Sequence, residues 1–492
     1  MENIKKQSIA NNFAFQFAYQ VWILIIPLII APYLTRVLGD TALGIFTYAN
    51  SIAYYFILFA NLGISRYGQR VIAKSNGLEH LRKIFWSLFV THILFSLLSF
   101  GCYLIFIFSV VRENRLIYII EAIYVLSALF DITWLFYGLE NFKSVAIRNF
   151  LIKAIELVCV FIFVKSVDDL PIYTLITAGS WLIGQAIMIP QAISMVKPIK
   201  FKFADMQQHL KPLFVFFIST IAISAYTIFD KTLLGLMSTK ENVAYYEYAN
   251  KIVSIPRTFI AVIGTVLYPR ACKLVATGDK DGQKRCLDLS LTLVCFIGAA
   301  SGFGLLAISK LFSVIYYGNE FAECGYIMMG MAALPLICGL GEIVRAQYMI
   351  PNEMDKQYIV CIILNAIINL VLTCLFIPLF GVYGAVIGTC AAETFGFCFQ
   401  VILCKRFINP LHILKETVPF LLIGLLMFFA IKTQSLFLKQ DLISMGLEMI
   451  TGAVVYIIFV LLYFYFFKKE YWFMLTGFIK KKLGRNDREN IC

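Results

Sequence analysis

The chain has 492 residues, of which 60% are hydrophobic, with 45 Phe, 26 Tyr, a formal charge of +13 and a mean hydropathy of +0.82. That balance excludes a soluble globular chain and leaves no room for a sizeable soluble domain. Thirteen cysteines would suit a disulfide scaffold, but Cys159, Cys295, Cys361, Cys374, Cys390 and Cys398 are scattered through apolar runs without paired spacing and read as small core residues. The histidines His80, His92, His209 and His412 fall in separate segments and never at metal-ligand spacing, so neither metal nor other cofactor is expected.

In chain order, runs of spanning length predict about fourteen membrane helices, at about 13–35, 42–64, 85–110, 116–138, 145–165, 171–195, 212–238, 243–268, 288–314, 325–349, 357–378, 382–404, 417–433 and 445–467. The first follows Lys5 and Lys6 and runs on without a small-residue cleavage site, which predicts a retained span and not a signal peptide. Basic residues alternate along the connectors. If the N-terminus is cytoplasmic, the inward connectors hold Arg66, Arg70, Lys74, Arg82 and Lys83, then Lys143 and Arg148, then Lys197, Lys200, Lys202 and Lys211, then Arg270, Lys273, Lys280, Lys284 and Arg285, then Lys405, Arg406 and the tail from Lys468 to Arg488. The outward connectors are poorer and acid-balanced, as in Arg36 with Asp40 and Lys240 with Glu241. This satisfies the positive-inside rule with both termini cytoplasmic, and it explains the net charge by topology and anionic lipid. Nucleic-acid binding is not expected, because the basic residues form no single face.

The chain repeats itself. Tyr48-Ala49-Asn50-Ser51-Ile52 opens the second span and Tyr248-Ala249-Asn250-Lys251-Ile252 opens the eighth; YGLENFK (Tyr137–Lys143) is echoed by YMIPNEMDK (Tyr348–Lys356). Copies six spans apart share a membrane orientation, which predicts two pseudo-symmetric six-helix bundles, 1–200 and 201–408, followed by two extra helices and a basic tail over 409–492.

The stretches PYLTRVLGD (Pro32–Asp40), SIAYYFILFANLGISRYGQR (Ser51–Arg70), DITWLFYGLENF (Asp131–Phe142) and LFIPLFGVYGAVIGTCAAE (Leu375–Glu393) resemble the Wzx-type oligosaccharide flippases of bacterial polysaccharide biosynthesis, a branch of the multidrug/oligosaccharidyl-lipid/polysaccharide exporter superfamily. The similarity runs over nearly the whole chain. Each motif is loose, mostly Gly, Pro and aromatic positions, and the order and spacing carry the match. The resemblance implies an all-α polytopic fold of fourteen spans, with two lobes around a central cavity. It also implies movement of an undecaprenyl-diphosphate-linked oligosaccharide from the inner to the outer leaflet of the bacterial cytoplasmic membrane by alternating access, for O-antigen, capsule or exopolysaccharide synthesis. A polysaccharide polymerase and chain-length machinery would be its partners.

A lipid-linked sugar repeat demands cations for its diphosphate, a wet cavity for its glycan and a lipid-open seam for its tail. Ionisable groups inside spans cost roughly 2.5–3.5 kcal/mol each even on the lenient insertion scale, so each should face a cavity or a partner. Lys251 and Arg257 on the eighth span lead as diphosphate ligands, with Lys231 on the seventh beside them. Arg36, just past the first span, is a further candidate, or a snorkelling anchor. Asp230, Glu247, Glu393, Glu342, Arg345 and Asp131 are candidates for ion coupling or gating, with Na⁺ or H⁺ as the coupling ion. Glu247–Lys251 and Lys153–Glu156 also read as internal ion pairs that only satisfy one another. Pro27 and Pro256 are candidate hinges, because a proline in a membrane helix frees backbone carbonyls.

Two other classes compete. A multidrug or cation antiporter of the same superfamily would share the two-lobed plan, but its lumen should be predominantly acidic, whereas here Lys and Arg are mixed with the acids. A membrane-embedded glycosyltransferase or polymerase would bring a long outer loop or an acidic pair at the first outer connector, and the outward connectors here are short. No nucleophile with its base, no phosphate-binding glycine loop and no ATP-binding motif is present, so a transporter without catalytic activity is expected.

Overall fold

The computed structural model describes residues 25–473 and Thr476. The first half of the predicted first span, Lys5 and Lys6, and the basic tail beyond 473 lie outside the described residues. All described elements are helical. α1 covers Ile25–Val37. After it come α2 (Gly39–Asn61), α3 (Ile64–Ala73), α4 (Leu78–Ser109), α5 (Arg115–Ser127), α6 (Thr133–Gly138), α7 (Phe142–Phe163), α8 (Leu170–Ala186) and α9 (Ile189–Met195). The chain continues through α10 (Phe203–Met237), α11 (Lys240–Ala276), α12 (Lys280–Tyr317), α13 (Ala322–Gly330), α14 (Leu334–Val344), α15 (Asp355–Phe380), α16 (Val382–Leu403), α17 (Pro410–Ser435) and α18 (Leu442–Phe467).

Among the described residues, ten segments are long and apolar enough to cross a membrane, or eleven when the bent pair Asn319–Gly330 and Leu334–Met349, angled at 44°, counts as one. α1 continues a run that begins in the undescribed residues, α7 has spanning length but carries Arg148, Lys153 and Glu156, and α10 is 35 residues long. With those three the set is compatible with fourteen spans.

The chain forms two compact units: Met1–Tyr248 with Tyr316–Phe321 and Ala366–Gly388, and Ala249–Ile315 with Ala322–Asn365 and Thr389–Cys492. In the first, α2 packs on α4 and α5, α5 on α8, and α3 on α6. Its core gathers Phe85, Leu88, Trp134 and Phe136, all 2% exposed or less. In the second, α17 packs on α18, and Val294, Ile343, Phe420 and Tyr456 lie in one buried cluster. The outward faces of these helices stay apolar, as on α18 with Ile450, Val454 and Ile457 about half exposed, which is what a lipid-facing surface requires.

Three predicted spans are interrupted, two of them at Pro190 and Pro335, prolines that mark breaks in the sequence, and one where no proline stands. The run 116–138 breaks after Ser127: a 3₁₀ turn, Ala128–Phe130, leads to an extended Asp131 that restarts the chain as α6. Asp131 Oδ1 accepts from the Thr133 amide (3.0 Å) and hydroxyl (2.6 Å), so its side chain satisfies a backbone donor that the break exposes. The runs 171–195 and 325–349 break just before Pro190 and Pro335, each of which sits in the first turn of the next helix, where a missing N–H costs nothing. At the α15–α16 turn, Gly381 adopts φ +57°. Three residues on, a Cβ at Gly384 would lie 2.3 Å from the Phe376 carbonyl carbon, so only glycine permits this close return.

Candidate functional site

The ends of α10 and α11 form a hairpin in the first unit, and its closure sets Asp230 and Lys231 against Tyr246 and Glu247. Asp230 is 4% exposed. Tyr246 donates its hydroxyl to Asp230 Oδ2 (2.5 Å), and Thr373 of α15 donates to Oδ1 (3.3 Å). Lys231, the next residue round the helix, forms an ion pair with Glu247. A buried carboxylate ringed by hydroxyl oxygens suits a proton or a small hard cation, since oxygen donors are what such cations take. The adjacent Lys231 ammonium is a point charge suited to phosphate.

Two more sequence candidates lie in the same unit. Arg36 donates through Nη1 to the carbonyls of Pro32 (2.7 Å) and Tyr316 (2.9 Å), and so ties the end of α1 to that of α12. Asp131 lines a crevice of about 320 Å³ with Tyr137, Arg148, Lys153 and Trp181. Within it Lys153 pairs with Glu156 at 2.8 Å, and Ser180 donates to the same carboxylate at 2.5 Å; this is one of the two internal pairs read from spacing. Arg148, read as a connector residue, donates to the Gly184 carbonyl and to Gln185. Pro27 lies near the start of α1.

In the second unit, Arg257 Nη2 stands 3.9 Å from Glu393 Oε1. That is a Coulombic contact beyond hydrogen-bond length, with the Arg257 side chain 28% and that of Glu393 10% exposed. Pro256 precedes Arg257 inside α11 and removes one backbone donor there. Lys251 is half-buried on the same helix. Six residues apart, Lys251 and Arg257 differ by about 120° in azimuth, so they can grip one ligand only from two sides. Arg345 donates to Glu342 Oε2 from Nη2 (2.8 Å) and Nε (3.3 Å). Gln400, its amide nitrogen donating to the Gly341 carbonyl, accepts from Arg345 Nη1 at 3.0 Å. The pair sits where α14 widens into a π-turn, Arg345–Met349, a feature that recurs at functional sites.

Sequence reasoning passed over several buried polar groups. Glu121 of α5 is 1% exposed and Glu416 of α17 is 6% exposed, the latter paired with Lys468 at 2.5 Å. Together with Arg270, Arg285 and a His412–Asp288 pair (2.7 Å), that second pair lines a crevice of about 730 Å³. His92 is buried with Nε2 against the Ala128 carbonyl (2.7 Å), at the break in the chain before Asp131. A residue-by-residue hydropathy scan sees single polar positions in apolar runs, and nothing in the sequence joins Glu121 to Asn50, its partner on another helix.

His209, in the opening turns of α10 ahead of its apolar run, bonds through Nδ1 to the Tyr67 hydroxyl (2.8 Å) and through Nε2 to Ser87 Oγ (3.1 Å). Burial lowers its pKa to about 4, against an opposing pull from Asp205. Asp205 is itself held by Lys83 at 2.9 Å, and Arg70 is the charge beside Tyr67. Because the folded pKa lies below the unfolded value of about 6.5, the unfolded chain binds the extra proton, and stability present above pH 6.5 is lost as pH falls toward 4. The loss is expected to be roughly 1–2 kcal/mol after allowance for screening. Thermal unfolding in detergent across that range should show the slope, and His209→Gln should flatten it.

Long apolar helices with ion-paired and hydroxyl-bound charges inside them define a polytopic membrane transporter. A family model described as "Polysaccharide biosynthesis protein" matches residues 9–275, more than half of the chain. The protein belongs to that family. Two proteins both named "Putative O-antigen transporter" are similar over most of their length. The one from Shigella dysenteriae is 27% identical over 388 residues, 76% of this chain and 94% of that protein. The one from Escherichia coli (strain K12) is 25% identical over 401 residues, covering 80% and 95%. Among solved structures, "Lipid II flippase MurJ, inward closed conformation" superposes with a TM-score of 0.75 at 16% identity, covering 92% of this chain and 99% of that one. The fold is therefore of the MurJ type.

Proposed function

We propose that this protein is a flippase that carries undecaprenyl-diphosphate-linked oligosaccharide repeat units from the inner to the outer leaflet of the bacterial cytoplasmic membrane, exposing its binding groups alternately to the two sides. Both termini would be cytoplasmic, and a polymerase with its chain-length machinery would take the product. The observation that carries the reading is the loose Arg257–Glu393 contact at 3.9 Å: an arginine kept inside the apolar helices, with no hydrogen-bonded partner among the described residues, can turn to a bidentate grip on phosphate. Lys251 supplies further charge on the same helix, and Lys231 and Arg36 of the first unit are further candidate ligands. Asp230, with Tyr246 and Thr373, takes the coupling Na⁺ or H⁺. Glu342–Arg345 and Asp131 act as gating contacts, and Pro256 as a hinge. The O-antigen transporter names of the two relatives and the MurJ-type fold support the substrate class.

The test is reconstitution of the purified protein in vesicles with a fluorescent undecaprenyl-diphosphate oligosaccharide, followed by accessibility of the label to an impermeant quencher. Protein-dependent transfer between leaflets, faster with an imposed ion gradient, is expected. Transfer no faster than in protein-free vesicles, with exchange of a cationic dye instead, would establish the antiporter reading.

A further inference from the structure

Glu121 is 1% exposed, on α5 about 9 Å along the helix from its start at Arg115. α2, α4 and α8 pack on α5, and α2 also packs on α4 and α8. Among the described residues no Lys, Arg or His nitrogen lies within ion-pair distance of it, unlike Glu156, Glu247, Glu393 and Glu416. Its side-chain partner is Asn50 of α2, whose Nδ2 lies 3.4 Å from each carboxyl oxygen. With no cation beside it, a charge on Glu121 would have only that amide to hold it. The titratable groups near enough to sense it are Tyr103 on α4, Tyr124 on α5 and Tyr173 on α8. None is a cation, and Tyr103 already donates to the Tyr118 carbonyl (3.1 Å). An unpaired charge in such a pocket would be very costly, and the inexpensive state is COOH.

Asn50 belongs to the repeated Tyr-Ala-Asn element. It remains half-buried while Ala49 beside it is fully buried, so the amide links the hidden acid to the accessible side of α2. Its neighbour Ser51 accepts from Thr232 (3.3 Å), which also meets the Tyr55 hydroxyl (3.1 Å) and lies two residues from Asp230. One stripe of α2 thus meets Glu121 through Asn50 and, through Ser51 and Tyr55, the α10 residue Thr232 two positions from Asp230. The two sites differ in their donors: Asp230 accepts from two hydroxyls, whereas Glu121 accepts from one amide N–H.

We propose that Glu121, with Asn50 as its gate, is a proton-binding site of this transporter separate from the one at Asp230. Loading transfers a proton from hydronium to a Glu121 oxygen, forming the O–H bond and leaving water. Release returns the proton to water on the Asn50 side, and no electron moves. Proton binding here stands independently of the flippase reading; only its use in transport rests on that reading.

The experiment is infrared difference spectroscopy on the full-length protein in lipid nanodiscs, in H₂O and D₂O, without substrate. A protonated-carboxyl C=O band present at neutral pH, shifted by deuterium and lost in Glu121→Gln, is expected. Asn50→Ala should move the pH at which that band disappears. Should Glu121→Gln fail to insert, modification of the wild-type protein by a hydrophobic carbodiimide, mapped by peptide mass, reads the same state: Glu121 labelled at neutral pH and unprotected by saturating Na⁺ is expected. An unchanged band in Glu121→Gln, an unlabelled Glu121, or labelling abolished by Na⁺ would each overturn the proposal. None of these readouts requires that any lipid be flipped.

Discussion

Replacing Arg257 by glutamate should cut translocation of a lipid-linked oligosaccharide by about 100-fold, the equivalent of losing roughly 2.7 kcal/mol of charge-assisted binding. The substitution removes the guanidinium and also turns a second carboxylate toward Glu393, which now stands 3.9 Å from Arg257. The reverse partner distinguishes ligand binding from scaffolding. If the pair only holds α11 to α16, Glu393→Gln should damage the protein as much as Arg257→Glu, and the swapped double variant Arg257→Glu, Glu393→Arg should restore both stability and transport. If Arg257 serves the diphosphate, the swap should restore the melting temperature and leave transport at the Arg257→Glu level. Lys251→Glu should behave like Arg257→Glu, because the two cations approach a ligand from different sides of one helix. Initial flipping rates in proteoliposomes, normalised to inserted protein, measure all of these.

What was legible in the sequence follows from which physical effect writes a local signal. Apolar length writes one directly, so α4, α12, α17 and α18 fall close to where hydropathy placed them. A charge inside such a run announces that it has a partner but not which one. Lys153–Glu156 and Glu342–Arg345 were readable because both members lie three residues apart on one helix. The Lys231 pairing with Glu247, which belongs to the next helix, was not, since spacing on α11 suggested Lys251 for that carboxylate. Nor could sequence reveal that Tyr246 and Thr373 close on Asp230, the latter from 143 positions away. The interruption at Asp131 was hidden for a related reason, since hydropathy averages over a window and a capped break is a backbone event that leaves the window apolar, whereas Pro190 and Pro335 mark theirs in the sequence. Glu121 escaped because a single acid in a run of Ile, Tyr and Ala hardly changes that average.

Glu247→Gln should destabilise the protein by about 2–4 kcal/mol, the range for stripping one partner from a largely buried ion pair. The side chains of Lys231 and Glu247 are 21% and 16% exposed, dry enough for an uncompensated ammonium to be expensive and wet enough to keep the cost below that of a fully sealed site. Lys231→Met alone should also cost stability, by taking the ammonium away from the carboxylate. The double variant Lys231→Met, Glu247→Gln should recover most of the stability, because an apolar stem beside a neutral amide has nothing left to solvate. Thermal unfolding of the four proteins in one detergent closes this cycle. Transport should not recover with it: if Lys231 is a diphosphate ligand, the stable double variant remains slow, and the gap between restored folding and unrestored flipping measures what the lysine contributes to substrate. A double variant that flips at the wild-type rate would show instead that the pair serves only to satisfy two charges that the hairpin of α10 and α11 happens to bury.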